Sequence, residues 1–234
     1  MQAVILAGGL GTRLGELTRD TPKVMLHFAG RPFLYYIIRL LGNQGTKEIV
    51  ICAGYLGEQV KNFFGNGHKL GLNIKYSEES VKLLGTGGAL KQAQAMLDRH
   101  FLVLNGDTYL PIDYRKVEEE YLRLGRKALM VVYNNKADTG VTNNIALDRD
   151  KMVVRYNKES TLPDLRYVEA GAIVLQKETL DFVVQGTKVS LGEGIYRRLI
   201  ERREMAVYIT RQRFYDIGTP EQRQVFEDFV TGAA

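Results

Sequence analysis

Ala3-Val4-Ile5-Leu6-Ala7, followed at once by Gly8-Gly9-Leu10-Gly11-Thr12-Arg13, decides how the rest of the chain is read. Five apolar residues in a row do not alternate, so both faces of this strand call for cover, as in a parallel sheet between helices. The glycines let the backbone turn sharply and present N–H groups to an anion. The stretch is not a dinucleotide fingerprint, because the position that would need glycine is Leu14. Nor is it a Walker loop, since no Gly-Lys-Ser/Thr follows. It holds a cation, Arg13, and a second, Lys23, comes ten residues later, after Pro22. Two fixed cations around a cluster of backbone donors suit a triphosphate.

Outward from this stretch, strand and helix alternate. A helix is expected over Phe33–Leu41 behind Pro32, a strand over Glu48–Ala53, a helix over Leu56–Phe64 and a short strand over Leu72–Tyr76. After Leu84-Gly85-Thr86-Gly87-Gly88 a helix is expected from near Ala89 to about Leu97, then a buried strand over Phe101–Leu104 that ends in Asn105-Gly106-Asp107. The pattern predicts an α/β protein, a Rossmann-like, mostly parallel sheet with helices on both faces. The second half is more mixed. Strands are expected over Ala128–Tyr133, Val168–Leu175 and Met205–Ile209, and helices over Lys177–Val184, Gly192–Arg202 and from Pro220 to about Val230. Asn144–Leu147 and Met152–Tyr156 flank Asp148-Arg149-Asp150-Lys151, a hairpin signal. The expectation is one domain over residues 1–234, with a nucleotide-binding half of about 1–134 and a second half of about 135–234. A small inserted β region is placed near 135–170.

Composition narrows the chemistry. With 45% hydrophobic and 25% charged residues in 234, the chain can bury a full core without staples. A single cysteine, Cys52, forms no internal disulfide or thiolate metal site, and three scattered histidines argue against a zinc enzyme. No apolar run approaches the roughly 20 residues of a membrane span, and the N-terminus lacks the basic start of a signal peptide. A cytoplasmic protein without a membrane partner is expected. The net charge is +5, and its densest run, Arg197-Arg198 with Arg202-Arg203, is interleaved with Glu193, Glu201 and Glu204. That mixture reads as a solvated helix face rather than a nucleic-acid patch. The positive excess suits an anionic small molecule.

Two aspartates stand at comparable places. Asp107 ends a buried strand, where parallel sheets open their ligand crevice. Asp216 follows a late strand, just ahead of Thr219 and Pro220, a capping residue and a first-turn proline for the last helix. Two strand-end carboxylates, completed by nucleotide oxygens, make a magnesium site if the fold brings them together.

Leu6-Ala7-Gly8-Gly9-Leu10-Gly11-Thr12-Arg13-Leu14, with Leu17-Thr18 and Pro22-Lys23, resembles the signature of the sugar-1-phosphate nucleotidylyltransferases. Leu104-Asn105-Gly106-Asp107 and Asp216-Ile217-Gly218-Thr219-Pro220-Glu221 resemble the family's two metal-binding motifs, in the family's order along nearly the whole chain. The resemblance implies the glycosyltransferase-A-like nucleotidyltransferase fold. It implies a nucleotide site of Leu6, Ala7, Gly8, Gly9, Gly11, Thr12, Arg13, Gly85, Thr86, Gly87 and Asn105, with Arg13 and Lys23 acting on the phosphates. It implies Mg²⁺ at Asp107 and Asp216, and a sugar-phosphate site of Gly106, Lys158, Glu169 and Gly171. The substrates implied are a nucleoside triphosphate and a sugar 1-phosphate. Asn157-Lys158 departs from the Glu-Lys of many members. Within the family, Leu84–Leu90 and Leu104–Thr108 are most similar to guanylyltransferases acting on D-glycero-α-D-manno-heptose 1-phosphate. Uridylyltransferases of N-acetylmuramate 1-phosphate are the nearest alternative. A regulatory subunit without catalysis is the alternative of another class.

Overall fold

The computed structural model describes residues 1–79, 83–137, 139–159 and 162–233. The first half runs β1 (Gln2–Ala7), β2 (His27–Phe28), β3 (Arg31–Pro32), α1 (Phe33–Asn43), β4 (Glu48–Ala53), α2 (Gly57–Phe64), β5 (Asn73–Glu78), α3 (Gly85–Ala93) and β6 (His100–Asn105). Then come β7 (Thr108–Tyr109), α4 (Tyr114–Leu124), β8 (Ala128–Tyr133), β9 (Ile145–Leu147), β10 (Val153–Tyr156) and β11 (Val168–Gln176). The chain closes with α5 (Arg197–Glu201), β12 (Met205–Thr210), β13 (Tyr215–Asp216) and α6 (Pro220–Thr231).

Seven strands form the central sheet in the order β12-β8-β11-β6-β1-β4-β5. Only β11 runs against the others, antiparallel to both β6 and β8, so the sheet is mostly parallel as the alternation predicts. Along β1, Ala3, Ile5 and Ala7 face one core and Val4 the other, and β6 and β8 alternate likewise. Apolar faces of α1, α2, α4 and α6 cover the first side. Those of α3, α5 and the turns around residues 180–196 cover the second. The unbroken apolar run of β1 is therefore the signature of a two-sided strand.

Three expectations are corrected. The glycine-rich Gly85-Thr86-Gly87-Gly88 is the first turn of α3 and not a loop ahead of it. Glycine costs a helix about 1 kcal/mol per residue, but side chains here would collide: a Cβ on Gly87 or Gly88 would overlap the carbonyls of Ser190 or Thr187. The segments expected as helices at 177–184 and 192–202 are a 3₁₀ stretch, Lys177–Phe182, and a π-type turn, Gly192–Tyr196, running into the short α5. Residues 108–127, to which the sequence reading assigns no element, contain α4. Its Asp113 caps the N-terminus by accepting from Arg115 N–H at 3.0 Å, and Tyr114, Val117 and Tyr121 supply a narrow buried stripe. The hairpin is as expected: β9 and β10 pair antiparallel, apart from the main sheet.

The last helix is pinned by aromatics. Phe226 is fully buried, with ring centroids 4.7 Å from Phe33, 5.1 Å from Phe28 and 5.5 Å from Tyr36 and Tyr109. Truncating such a side chain leaves a cavity the surroundings cannot fill. Phe226→Ala is expected to destabilise the fold by about 3–5 kcal/mol, read as a lower urea midpoint. A loss under about 1 kcal/mol would show that α6 is not anchored there.

Candidate active site

The crevice lies at the carboxyl ends of β1, β4 and β6. Leu6 pairs in register with Asn105, and the next residue, Gly106, donates its N–H to the Leu6 carbonyl at 2.9 Å. A Cβ at Gly106 would lie 2.5 Å from that oxygen, so only glycine lets the chain cross β1 this closely. Beyond the crossing, β7 pairs with β13, setting Thr108 opposite Asp216, and Ile217 N–H donates to the Asp107 carbonyl at 3.2 Å. This small pairing brings the two aspartates of the distant motifs together.

Two cations join them. Lys23 sits in a 3₁₀ turn behind Pro22, is buried, and donates to Asp107 Oδ2 at 2.7 Å. The Arg13 guanidinium lies beside Gly218, where a Cβ would stand 3.0 Å from it and 2.6 Å from Asp216 Oδ1. Burial first, and then the charge of Asp107, pushes the Asp216 carboxyl above its usual range, against the pull of Lys23, the Gly218 N–H and Arg13. Ahead of the cluster, the glycine loop is closed by Gly11, which has φ +66°, and by the Thr18 hydroxyl donating to the Gly11 carbonyl at 3.0 Å. The polar stretch behind it is a 3₁₀ turn, Thr12–Thr18.

A cleft of about 1120 Å³ opens over these elements. Of the residues expected in the site, Leu6, Ala7, Gly8, Gly9, Gly11, Thr12, Lys23, Asn105 and Asp107 line one side, Gly85 and Thr86 another, and Lys158 and Glu169 the far wall. Arg13 and Asp216 stand at the edge of the cluster and are not part of the wall. Gly87, Gly106 and Gly171 are not on it either. Gly87 donates its N–H to the Val189 carbonyl. Gly171, with φ +75°, sits in the irregular stretch of β11 between Glu169 and Ile173 and packs against Thr108. These three glycines allow close approach of backbones.

On the far wall, Glu169 is nearly buried and accepts from the Tyr156 hydroxyl at 2.8 Å, the Tyr196 hydroxyl at 3.1 Å and, as an ion pair, Lys158 Nζ at 3.2 Å. Tyr156 and Tyr196 meet edge to face at 5.2 Å. A carboxylate held by three donors has a fixed orientation, with Lys158 facing the cleft on an exposed arm. Neither tyrosine is in the expected site. Tyr156 adjoins Asn157-Lys158, which could have flagged it, whereas Tyr196 lies beside the arginine run read as a solvated face. The charges of that run do pair, Arg197 with Glu201 at 3.1 Å and Arg203 with Asp148 at 2.7 Å, but Arg197 and Glu201 also line the cleft, as do Glu79 and Lys188.

Asp107 and Asp216 fit a divalent cation: two like-charged carboxylates, Asp216 raised by burial and then by the charge of Asp107. No cluster of three or more His, Cys, Asp or Glu is formed among the described residues, so such an ion would complete its shell from substrate oxygens and water. No helix among the described residues is long and apolar enough to cross a membrane.

Fold and crevice together define an α/β protein with a cleft at its strand ends where two cations meet two carboxylates. The chain belongs to the nucleotidyl transferase family, whose model matches residues 2–228. It is 34% identical over 225 residues to the D-glycero-alpha-D-manno-heptose 1-phosphate guanylyltransferase of Campylobacter jejuni, covering 94% of this chain and 96% of that protein. A local match, 42% identical over 115 residues and about half of each chain, is to the N-acetylmuramate alpha-1-phosphate uridylyltransferase of Neisseria meningitidis serogroup B. Among solved structures, HddC from Yersinia pseudotuberculosis superposes with a TM-score of 0.85 at 26% identity, over 98% of this chain and 99% of that one; it has also been solved with GMP-PN.

Proposed function

We propose that the protein transfers a nucleoside monophosphate from GTP to D-glycero-α-D-manno-heptose 1-phosphate, releasing pyrophosphate and forming a nucleotide sugar for surface polysaccharide synthesis in the cytoplasm. The observation that carries this reading is the cluster of Lys23, Arg13, Asp107 and Asp216 between the Gly8–Arg13 loop and the Lys158–Glu169 wall. The end-to-end likeness to a heptose 1-phosphate guanylyltransferase supports the substrates. In this reading one domain is divided into a nucleotide half, about residues 1–134, and a sugar half, about residues 135–234.

The chemistry follows from charge. A sugar phosphate carries close to two negative charges at neutral pH, since its second pKa is about 6. Its oxygen is already a nucleophile and needs no general base. It attacks the α-phosphorus, a bond forms from that oxygen to phosphorus, and the bond to the β-phosphate oxygen breaks to release pyrophosphate. The task left to the protein is alignment and charge neutralisation. Backbone N–H groups of the Gly8–Arg13 loop and Arg13 hold the triphosphate, Lys23 faces the phosphate under attack, and Lys158 holds the sugar phosphate. Glu169 with its two tyrosines orients Lys158 and the sugar. Mg²⁺, held by Asp107 and Asp216, would offset charge on the phosphate oxygens.

Lys158→Ala is expected to raise the KM for the sugar phosphate about tenfold and leave that for the nucleotide nearly unchanged, by loss of one charge-assisted contact. Unchanged kinetics for both substrates would remove Lys158 from the site. The uridylyl alternative has the 115-residue match in its favour. Mass spectrometry of the products decides between them: a GDP-heptose mass from GTP supports the proposal, and a product from UTP alone would keep the reaction and change the substrate. A non-catalytic role has Arg13, Lys23, Asp107 and Asp216 against it, because all four charged groups are in place.

A further inference from the structure

Lys23 occupies the carboxylate that a metal would need. Its ammonium donates to Asp107 Oδ2 at 2.7 Å, and the lysine side chain is 9% exposed against 34% for Asp107. Asp107 Oδ1 is engaged as well, accepting from the Thr108 hydroxyl at 3.3 Å. Among the described residues, no other cation stands at ion-pair distance from either aspartate. A divalent ion and an ammonium cannot share one carboxylate oxygen cheaply, because like charges that close repel strongly where solvent screens them little.

Nor is the ammonium free to swing into water. Lys23 opens its 3₁₀ turn behind Pro22, and Met25 N–H donates to the Pro22 carbonyl at 2.8 Å, Leu26 N–H to the Lys23 carbonyl at 3.2 Å. The three residues after it, Val24, Met25 and Leu26, are anchored in the core. Leaving Asp107 with no other anion in reach would strand a charge in a desolvated place. The release has to come from a new anion beside the old one. The Gly8–Thr12 loop lines the same cleft as Lys23 and Asp107, and a phosphate held there offers that exchange.

Resting on the reading of Asp107 and Asp216 as metal ligands, we infer that Lys23 closes the site to a free divalent ion until a nucleotide phosphate draws its ammonium off Asp107. The metal then enters with the nucleotide and not before it. The protein without nucleotide stays empty of metal, and the lysine waits beside the place where phosphate will lie.

The test titrates Mn²⁺, read by electron paramagnetic resonance, into protein free of nucleotide: the wild type, Lys23→Met, Lys23→Gln and Lys188→Met. Two different neutral side chains at position 23 guard against a folding artefact, and a thermal melt checks each variant. Lys188 lines the cleft, is exposed and has no part in the cluster, so its variant reports the loss of one positive charge alone. Both Lys23 variants should bind Mn²⁺ at least about tenfold more tightly than the wild type, and Lys188→Met within about twofold of it. Adding Asp107→Asn to Lys23→Met should abolish the gain. Wild-type Mn²⁺ affinity in both Lys23 variants, or an equal gain in Lys188→Met, would overturn the inference. Failure of the metal assignment looks different: a gain that survives Asp107→Asn, or no gain together with a wild-type magnesium requirement for turnover in Asp107→Asn. Either would overturn the assignment itself, and this inference with it.

Discussion

Replacing Asp107 by asparagine is expected to lower kcat by about a thousandfold or more, with the thermal unfolding midpoint nearly retained. The substitution keeps the shape of a side chain that is a third exposed and removes its charge. Lys23 loses its carboxylate partner at 2.7 Å, but a carbonyl oxygen remains to accept from it, so the local packing survives. What does not survive is the paired negative charge that Asp107 and Asp216 turn toward the same space. A divalent ion bound through two carboxylates loses most of its affinity when one is neutralised. Titrating Mg²⁺ against activity separates cause from effect. If the aspartates hold the ion, the residual activity of Asp107→Asn should require a much higher Mg²⁺ concentration. Wild-type turnover at ordinary magnesium would end the assignment.

The second large effect is expected at Lys23, where Lys23→Met should reduce kcat about a hundred- to a thousandfold, the cost of removing one preorganised charge aimed at a transition state. Methionine fills the volume of the buried stem and takes away only the ammonium, so loss of packing is kept small. Because Asp107 is partly exposed to water, solvent screens much of the exposed end of the pair. The stability change should then be small beside the catalytic one. The discriminating readout is the split between constants: a large drop in kcat with KM values for both substrates within a few-fold marks a group acting on the transition state. A rise in nucleotide KM alone, with kcat intact, would place Lys23 in simple binding instead.

How much of this was legible in the residues depends on whether the signal is local. The β1 run and the glycine loop could be read directly, because an unbroken apolar strand and a positive-φ turn are properties of neighbouring residues. Asp107 and Asp216 could be singled out one by one, as strand-end carboxylates, and the motif resemblance paired them. Their contact depends on the β7–β13 pairing, two residues on each side, which is too short to leave a pattern. The reversal of β11 inside an otherwise parallel sheet left no mark either, since a strand covered on both faces reads the same in either direction. The resemblance alone set Gly87, Gly106 and Gly171 at ligands, and the fold sets each where a Cβ would meet backbone or Thr108. Composition cannot say whether the thing approached is a phosphate or another part of the chain. Tyr156 and Tyr196 escaped because tyrosines in a strand and a helix ordinarily read as packing. Only the fold reveals that both hydroxyls converge on Glu169.

The reaction proposed for this cleft joins a nucleotide to a sugar phosphate with loss of pyrophosphate. The most direct measurement is magnesium-dependent pyrophosphate release, with the four nucleoside triphosphates crossed against manno-heptose, mannose, glucose and N-acetylmuramate 1-phosphates. Release is expected to require both substrates and the metal, and to be strongest with GTP and the heptose phosphate. Folded protein that binds a nucleotide yet releases no pyrophosphate with any pair would contradict it.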